Sequence, residues 1–456
     1  MSTRALSRAA LAAAVLVQLV ASMLVLSGVQ VRSTAPRGMS GQSVPSAASD
    51  QSAQAALTPA LHDTGRNAAV QELLDRWAAA VHSRDNTALG ALFDLRADPG
   101  FLDRERARAV NLTQVPLADW GYQISADPTP TVPPAVLTRV DADEVWAPPV
   151  DLHYAIAGAD PAPTTRPVGL VVARRGTVWR LVSDTAENDY GRTTWRGPWD
   201  FGPVIARSVE RGVVLGHPDH VVDVDALAAE LTPAANAVTD FWGPNWQQRA
   251  AVILPDSQGE LKALVGADFA GGEIAAVAIA DDIDRVQHVA RGQRVVFNPA
   301  TIGQLTALSR RVVLRHELTH VAARAVTAPQ APIWLAEGFA DYAGYRGSGV
   351  SLADGAPAVA ALVRTAGPPD ALPTDAQFAA SASPAHVELA YQLAWTFAVF
   401  LATVKGEPTL RGVYVAVAAL PAPSSADIDA ALQPVVGADL ATLVHEWGRW
   451  LQATLR

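Results

Sequence analysis

Two imidazoles stand four residues apart in the pentad His316-Glu317-Leu318-Thr319-His320, with a carboxylate between them. A helix turns about 100° per residue, so positions four apart share a face, one turn from each other. That is the spacing at which two imidazoles can hold one zinc ion. Glu317 sits one residue past the first histidine, close enough to take the proton of a metal-bound water. Glu337, within Trp334-Leu-Ala-Glu-Gly-Phe-Ala-Asp-Tyr342, arrives from a second stretch of chain and can complete a three-ligand set. Three protein ligands with an open fourth position describe a catalytic zinc site; a structural one closes all four. The bland alternative is a surface helix carrying two solvated histidines.

The elements that must position these residues weigh against that alternative. Ser309 to Val326 reads as one amphipathic helix, with Val312, Val313, Leu314, Leu318, Val321 and Val326 in an apolar stripe near helical period. Pro329 and Pro332 punctuate a short connector. A second helix then carries Trp334, Leu335, Phe339 and Tyr342. Within it Glu337 and Asp341 are four apart and share a face. Two carboxylates on the half-apolar segment Ile333 to Tyr345 would be costly to bury unpaired. A metal and the groups that support its ligands account for both.

These two motifs, His-Glu-Leu-Thr-His and then Trp-Leu-Ala-Glu-Gly, resemble the gluzincin metallopeptidases, the thermolysin-like clan, and most closely its peptidase MA-like branch. The resemblance is tight over residues 312–345 and looser over 198–455. It implies Zn2+ bound by His316, His320 and Glu337, with Glu317 as general base. It also implies that Asp341, four residues past the third ligand, orients His316; a ligating histidine usually gives its other N–H to a carboxylate. The sixteen residues between His320 and Glu337 are somewhat fewer than in the best-known members. Such enzymes need a donor for the oxyanion of the tetrahedral intermediate. Tyr391, on an apolar helix spanning about Pro384 to Val404, is the first candidate, and it would serve equally as a core tyrosine. His386 is the weaker alternative, while Tyr342 and Tyr345 read as packing residues. In the clan an edge strand beside the ligand helix pairs with extended substrate; Ile274 to Ala280, or alternatively Arg294 to Phe297, fits that part. The Gly-Met-Glu-Asn signature of the clan's aminopeptidases is missing upstream. The implied activity is therefore endopeptidase action on a polypeptide substrate. The competing reading is a membrane-tethered binding or assembly protein with an inactive or structural zinc site.

Composition narrows the setting. A net charge of −10 without basic runs argues against a nucleic-acid partner. The absence of cysteine excludes disulfides and thiolate zinc sites. Ala9 to Val29 is an uncharged, largely apolar run long enough to span a bilayer, preceded by Arg4 and Arg8. A cleaved signal peptide is the rival, but the run is long and Ser33-Thr34-Ala35 is followed by Pro36, a poor cleavage site. An uncleaved single-pass anchor in the cell membrane fits better, with the catalytic part outside the cytoplasm. Arg32 and Arg37 blunt the charge bias that would set orientation. Nothing in the sequence sets an oligomeric state.

The expected fold class is α+β, in four parts. Residues 1–32 form the membrane anchor and 33–64 a flexible Ser/Ala/Gln/Pro linker. Residues 65–192 form an α+β domain, opened by an amphipathic helix over Asn67 to Ser83 and continued by strands at Trp120 to Ile124, Val150 to Ile156, Val168 to Ala173 and Thr177 to Val182. This domain weakly resembles the nuclear transport factor 2-like cone, which implies a binding or scaffolding role; its His82 and His153 read as structural. Thr193 to Asp200 reads as a boundary loop. Residues 193–456 form the gluzincin-like domain: a mixed sheet, the HExxH helix and a helical C-terminal part. His445-Glu446 is not a second metal motif, because Arg449 stands where a histidine would be needed.

Overall fold

The computed structural model describes residues 50–456, apart from 268, 270–273, 380 and 456, with side chains from residue 63 onward. The expected membrane helix and the linker up to residue 49 lie outside the described residues. The last part of the linker does not. Helix α1 runs Asp50–Ser83, so helix begins well before Asn67. The alanines of residues 50–60 favour helix, a preference that the tether reading of this Ser/Ala/Gln stretch underweighted.

Among the described residues the chain divides into two compact units. The first takes residues up to Ala155 together with Pro163–Pro203; the second takes Ile156–Ala162 and Val204–Arg456. The boundary therefore falls after Pro203, not at 192. The reason lies in the Trp-rich stretch read as a loop. Trp195 stacks on Tyr154 with ring centroids 5.3 Å apart. Trp199 meets Trp120 and Tyr154 edge-on. Asp200 takes the buried Arg108 guanidinium at 2.7 Å. These contacts tie the stretch to the first unit, with Trp199 buried in its core.

Besides α1, the first unit holds α2 (Asn86–Ala91), α3 (Phe101–Asn111), α4 (Pro134–Val140), β1 (Leu117–Ile124), β2 (Glu144–Trp146), β3 (Pro149–Ile156), β4 (Thr164–Gly169), β5 (Val171–Arg175) and β6 (Val178–Ser183). Two three-stranded sheets result, ordered β1-β3-β4 and β2-β5-β6. The single strand expected over Val168 to Ala173 breaks at Leu170, and its halves join different sheets. Val70, Leu73, Leu74, Trp77 and Val81 of α1 are buried, as the helical stripe requires.

The second unit is built on a five-stranded sheet ordered β10-β13-β9-β8-β7. Its strands are β7 (Ile205–Val209), β8 (Gly212–Gly216), β9 (Ala250–Ile253), β10 (Ala276–Ile279) and β13 (Arg294–Phe297). A small hairpin, β11 (Asp282–Asp284) and β12 (Val289–Arg291), separates the last two in sequence. The inner pairs β8–β9 and β9–β13 are parallel, and β7 and β10 close the sheet as antiparallel edges. Helices α5 (Val221–Trp242), α6 (Gln258–Val265), α7 (Ala307–Ala323) and α8 (Ile333–Tyr345) accompany the sheet. A helical part follows: α9 (Leu352–Gly355), α10 (Pro357–Thr365), α11 (Pro384–Phe400), α12 (Glu407–Ala418), α13 (Ser425–Val436) and α14 (Leu440–Thr454). The architecture is α+β, as expected. Among the described residues one helix, Pro384–Lys405, is long and apolar enough to cross a membrane, and 67% of its apolar 18-residue window is buried inside the protein. It is a core helix of this unit.

Candidate metal centre

Helix α7 starts where Thr306 accepts the Ser309 N–H through its side chain, the usual N-cap device. From there the 3.6-residue period carries His316, Glu317 and His320 to the interior, together with Val312, Val313, Leu314 and Leu318. Pro332 precedes α8, which presents Glu337 and Asp341 from one face. His316, Glu317 and Glu337 are fully buried, and His320 is 8% exposed.

The two helices bring the predicted ligands together. One donor atom from each of His316, His320 and Glu337 lies within 4.8 Å of the others. The Nε2 atoms of His316 and His320 are 3.0 Å apart. The Glu337 oxygens lie 3.3 Å from His316 Nε2 and 3.6 Å from His320 Nε2. Neither oxygen makes a well-formed hydrogen bond, although the carboxylate is fully buried. A buried, unsatisfied carboxylate facing two imidazole nitrogens is costly in a bare protein and is what a cation would satisfy. The group can hold a metal ion.

Asp341 stands where expected. Its Oδ1 is 2.8 Å from His316 Nδ1. A carboxylate only accepts, so in the neutral ring Nδ1 carries the proton and Nε2 keeps its lone pair for the centre. The electrostatics agree that the pocket favours positive charge. Burial works against a charged His316, yet the Asp341 and Glu337 carboxylates hold its pKa well above the ordinary value. Burial would also raise Glu337, but the two imidazoles outweigh it and hold the carboxyl down at about 2. Asp341 itself is raised, with burial as the main cause.

The other sequence candidates are placed as follows. Tyr391 lies on α11, 2% exposed, its ring edge-on to Phe378 at 5.1 Å. His386 is exposed on the first turn of α11. Tyr342 donates its hydroxyl to Glu407 at 2.7 Å, and Tyr345 packs on Trp395 at 5.0 Å between ring centroids. β10 is an edge strand, whereas β13 lies inside the sheet with both sides paired, so Arg294 to Phe297 cannot receive an added strand. In the first unit His153 pairs with Asp119 at 2.5 Å. The cavity bounded there by Trp77, Arg108, Tyr122, Trp195 and Trp199 has about 10 Å³, room for about one water.

Three supporting residues escaped the sequence reading. Gly338 lets α8 lie against α11, since a Cβ there would overlap the Ala394 carbonyl. Gly344 does the same toward α7, where a Cβ would sit 2.9 Å from the Val312 carbonyl oxygen and 3.6 Å from His316 Cβ. Arg324, just past α7, is buried and bonded to the Ala278 carbonyl. Helix-interior glycines are a readable signal, because each costs about 1 kcal/mol relative to alanine and needs a packing reason.

No protein-family model matches the chain, and no curated protein matches it in sequence. The functional reading rests on the geometry.

Proposed function

We propose that this chain is a zinc-dependent peptidase of the gluzincin kind, cleaving internal peptide bonds, held at the cell membrane through the apolar run Ala9 to Val29 with its catalytic unit outside the cytoplasm. The observation that carries the reading is the convergence of His316, His320 and Glu337, with Asp341 behind His316. Two imidazoles and one carboxylate suit zinc, and the unbonded Glu337 oxygens fit such an ion. Bound there, zinc would polarise the scissile carbonyl and acidify the attacking water. Glu317 accepts the proton of that water and returns it to the leaving amine as the C–N bond breaks. Asp341 keeps His316 Nδ1–H engaged, so Nε2 stays turned inward. The strand β10, which ends the sheet, is where an extended peptide would lie. Tyr391 is the oxyanion donor in this reading, which Tyr391→Phe tests through a loss in kcat.

The deciding experiment is Glu317→Gln in the full chain. It should keep zinc and fold and lose chelator-sensitive cleavage of a fluorogenic peptide library. Undiminished cleavage would overturn the mechanism. Tight binding of one zinc equivalent by His316→Ala would overturn the ligand set. One observation favours a second reading: with three of the four motif residues fully buried, the site would also suit a structural metal in a membrane-tethered binding protein. Wild-type protein that binds zinc and cleaves no library member would select it.

A further inference from the structure

Arg324 is a charged side chain outside the ligand set, buried where two elements of the site meet. It opens the 3-10 turn Arg324–Val326 at the end of α7, four residues after His320 and seven after Glu317, and is 6% exposed. Its Nη2 donates to the Ala278 carbonyl at 2.6 Å.

The register of β10 tells which carbonyl that is. Ala276 stands opposite Phe297 and Ala278 opposite Val295. The Asn298 N–H bonds the Ala275 carbonyl at 2.9 Å, so Ala275 and Asn298 form a hydrogen-bonded pair. Pairs alternate along an antiparallel ladder, so Val277 and Ile279 also bond to β13, while Ala276 and Ala278 turn their backbone groups the other way. Since β10 ends the sheet, Arg324 holds an outward carbonyl of the edge strand from the end of the ligand helix. A buried guanidinium is expensive unless bonded. Burial draws its pKa down to about 10, and the Glu317 carboxylate is the first charge opposing that fall, followed by Tyr414.

We propose that Arg324 is a positioning residue that fixes the edge strand β10 against the end of the ligand helix, so that the strand keeps its place relative to Glu317 and the ligands. The bland alternative is an arginine that merely covers a sheet edge. The effect on turnover rests on the peptidase reading; the effect on the strand does not.

The test compares zinc-loaded full-length wild type, Arg324→Met and Arg324→Lys. Hydrogen exchange is followed over residues 274–280, and kcat and KM are measured on a fluorogenic peptide that wild type cleaves. Losing a charge-assisted hydrogen bond should raise exchange in that segment about tenfold, with α7, α8 and zinc content unchanged. KM should rise about tenfold and kcat stay within about threefold, the mark of lost uniform binding. Lysine, which can still donate to the carbonyl, should restore most of both. Unchanged exchange over 274–280, a fall in kcat at constant KM, a fall in KM, or a lysine variant no better than methionine would each overturn the proposal. Arg324→Gln replaces the methionine variant if that fails to fold. A wild type that cleaves nothing refutes the peptidase reading instead, and exchange alone then judges Arg324.

Discussion

Replacing Gly338 by alanine should weaken the metal site, although Gly338 has no side chain to offer it. Gly338 follows Glu337 at the crossing of α8 and α11. A Cβ there would overlap the Ala394 carbonyl oxygen, sit 2.7 Å from its carbon and 3.2 Å from its Cβ, where ordinary contact begins at 3.4 Å. The obstacle is backbone inside a helix, so no rotamer relieves it; α8 or α11 must move by about 1 Å, in an interior packed too densely to absorb the shift. Overpacking of this kind costs about 1–3 kcal/mol. Glu337 moves with its neighbour, and a shift of about 1 Å exceeds the roughly 0.2 Å within which metal–ligand distances hold. If the same energy is drawn from metal binding, Kd rises about five- to 150-fold. The assay is a competition titration against a chelator of known affinity, with a thermal melt of the metal-free protein. Gly303→Ala is the control, because nothing lies within 4 Å of a Cβ there. Adding Ala394→Gly should not rescue Gly338→Ala, since the carbonyl is the closer obstacle and stays in place. Wild-type affinity and melting in Gly338→Ala, or rescue by the second change, would refute the reasoning.

Asp341→Asn should weaken metal binding about 10–100-fold, as loss of the charged partner of a ligating histidine does, in the same competition titration. Asp160→Asn should destabilise the second unit by about 3–5 kcal/mol, because it removes the carboxylate charge from a buried bidentate pair with Arg294 (2.5 and 2.8 Å); hydrogen exchange in β13 reads it. In the first unit, burial raises Glu105 from 4.5 to about 7 despite the Arg108 beside it. A raised folded pKa contributes stability that is full below about 4.5 and lost as pH rises through about 7, on the order of 3 kcal/mol. Exchange in α3 should therefore show wild type losing stability relative to Glu105→Gln between pH 5 and pH 8.

Short-range pattern carried much of the fold. β13 spans the four residues Arg294–Phe297 that its apolar run marked, and α8 carries Trp334, Leu335, Phe339 and Tyr342 as expected. Runs such as Val295 and Val296, or Val213 and Val214, are buried on both faces and so read as continuous hydrophobic strands. Strand order was not legible. Ile274 to Ala280 and Arg294 to Phe297 both read as short apolar strands, and only pairing with β9 puts one inside the sheet and leaves the other at the edge. The Thr193 to Asp200 stretch failed for another reason. Glycine and proline mark a loop there, and the stretch is irregular, but its tryptophans are committed to an aromatic cluster whose other members, Trp120 and Tyr154, lie far away in sequence.

The ligand set was legible for the converse reason. His316 and His320 are four residues apart with Glu317 between them, and Glu337 and Asp341 are likewise four apart, each pair about one helical turn, so helical periodicity alone places each group on a face. What positions the second face spans 56 residues from Gly338 to Ala394 and 32 from Gly344 to Val312, beyond any periodic window. Yet those contacts left a trace. The thirteen-residue α8 carries two glycines, Gly338 in its interior at a cost of about 1 kcal/mol relative to alanine and Gly344 in its last turn. Each is matched by a backbone carbonyl that a Cβ would strike, Gly338 by Ala394 and Gly344 by Val312. The first contact sets α8 against α11 and the second sets it against α7, so the position of Glu337 relative to His316 is decided on two sides by the absence of a side chain. The expected consequence is that metal affinity tracks these two glycines nearly as closely as it tracks Asp341.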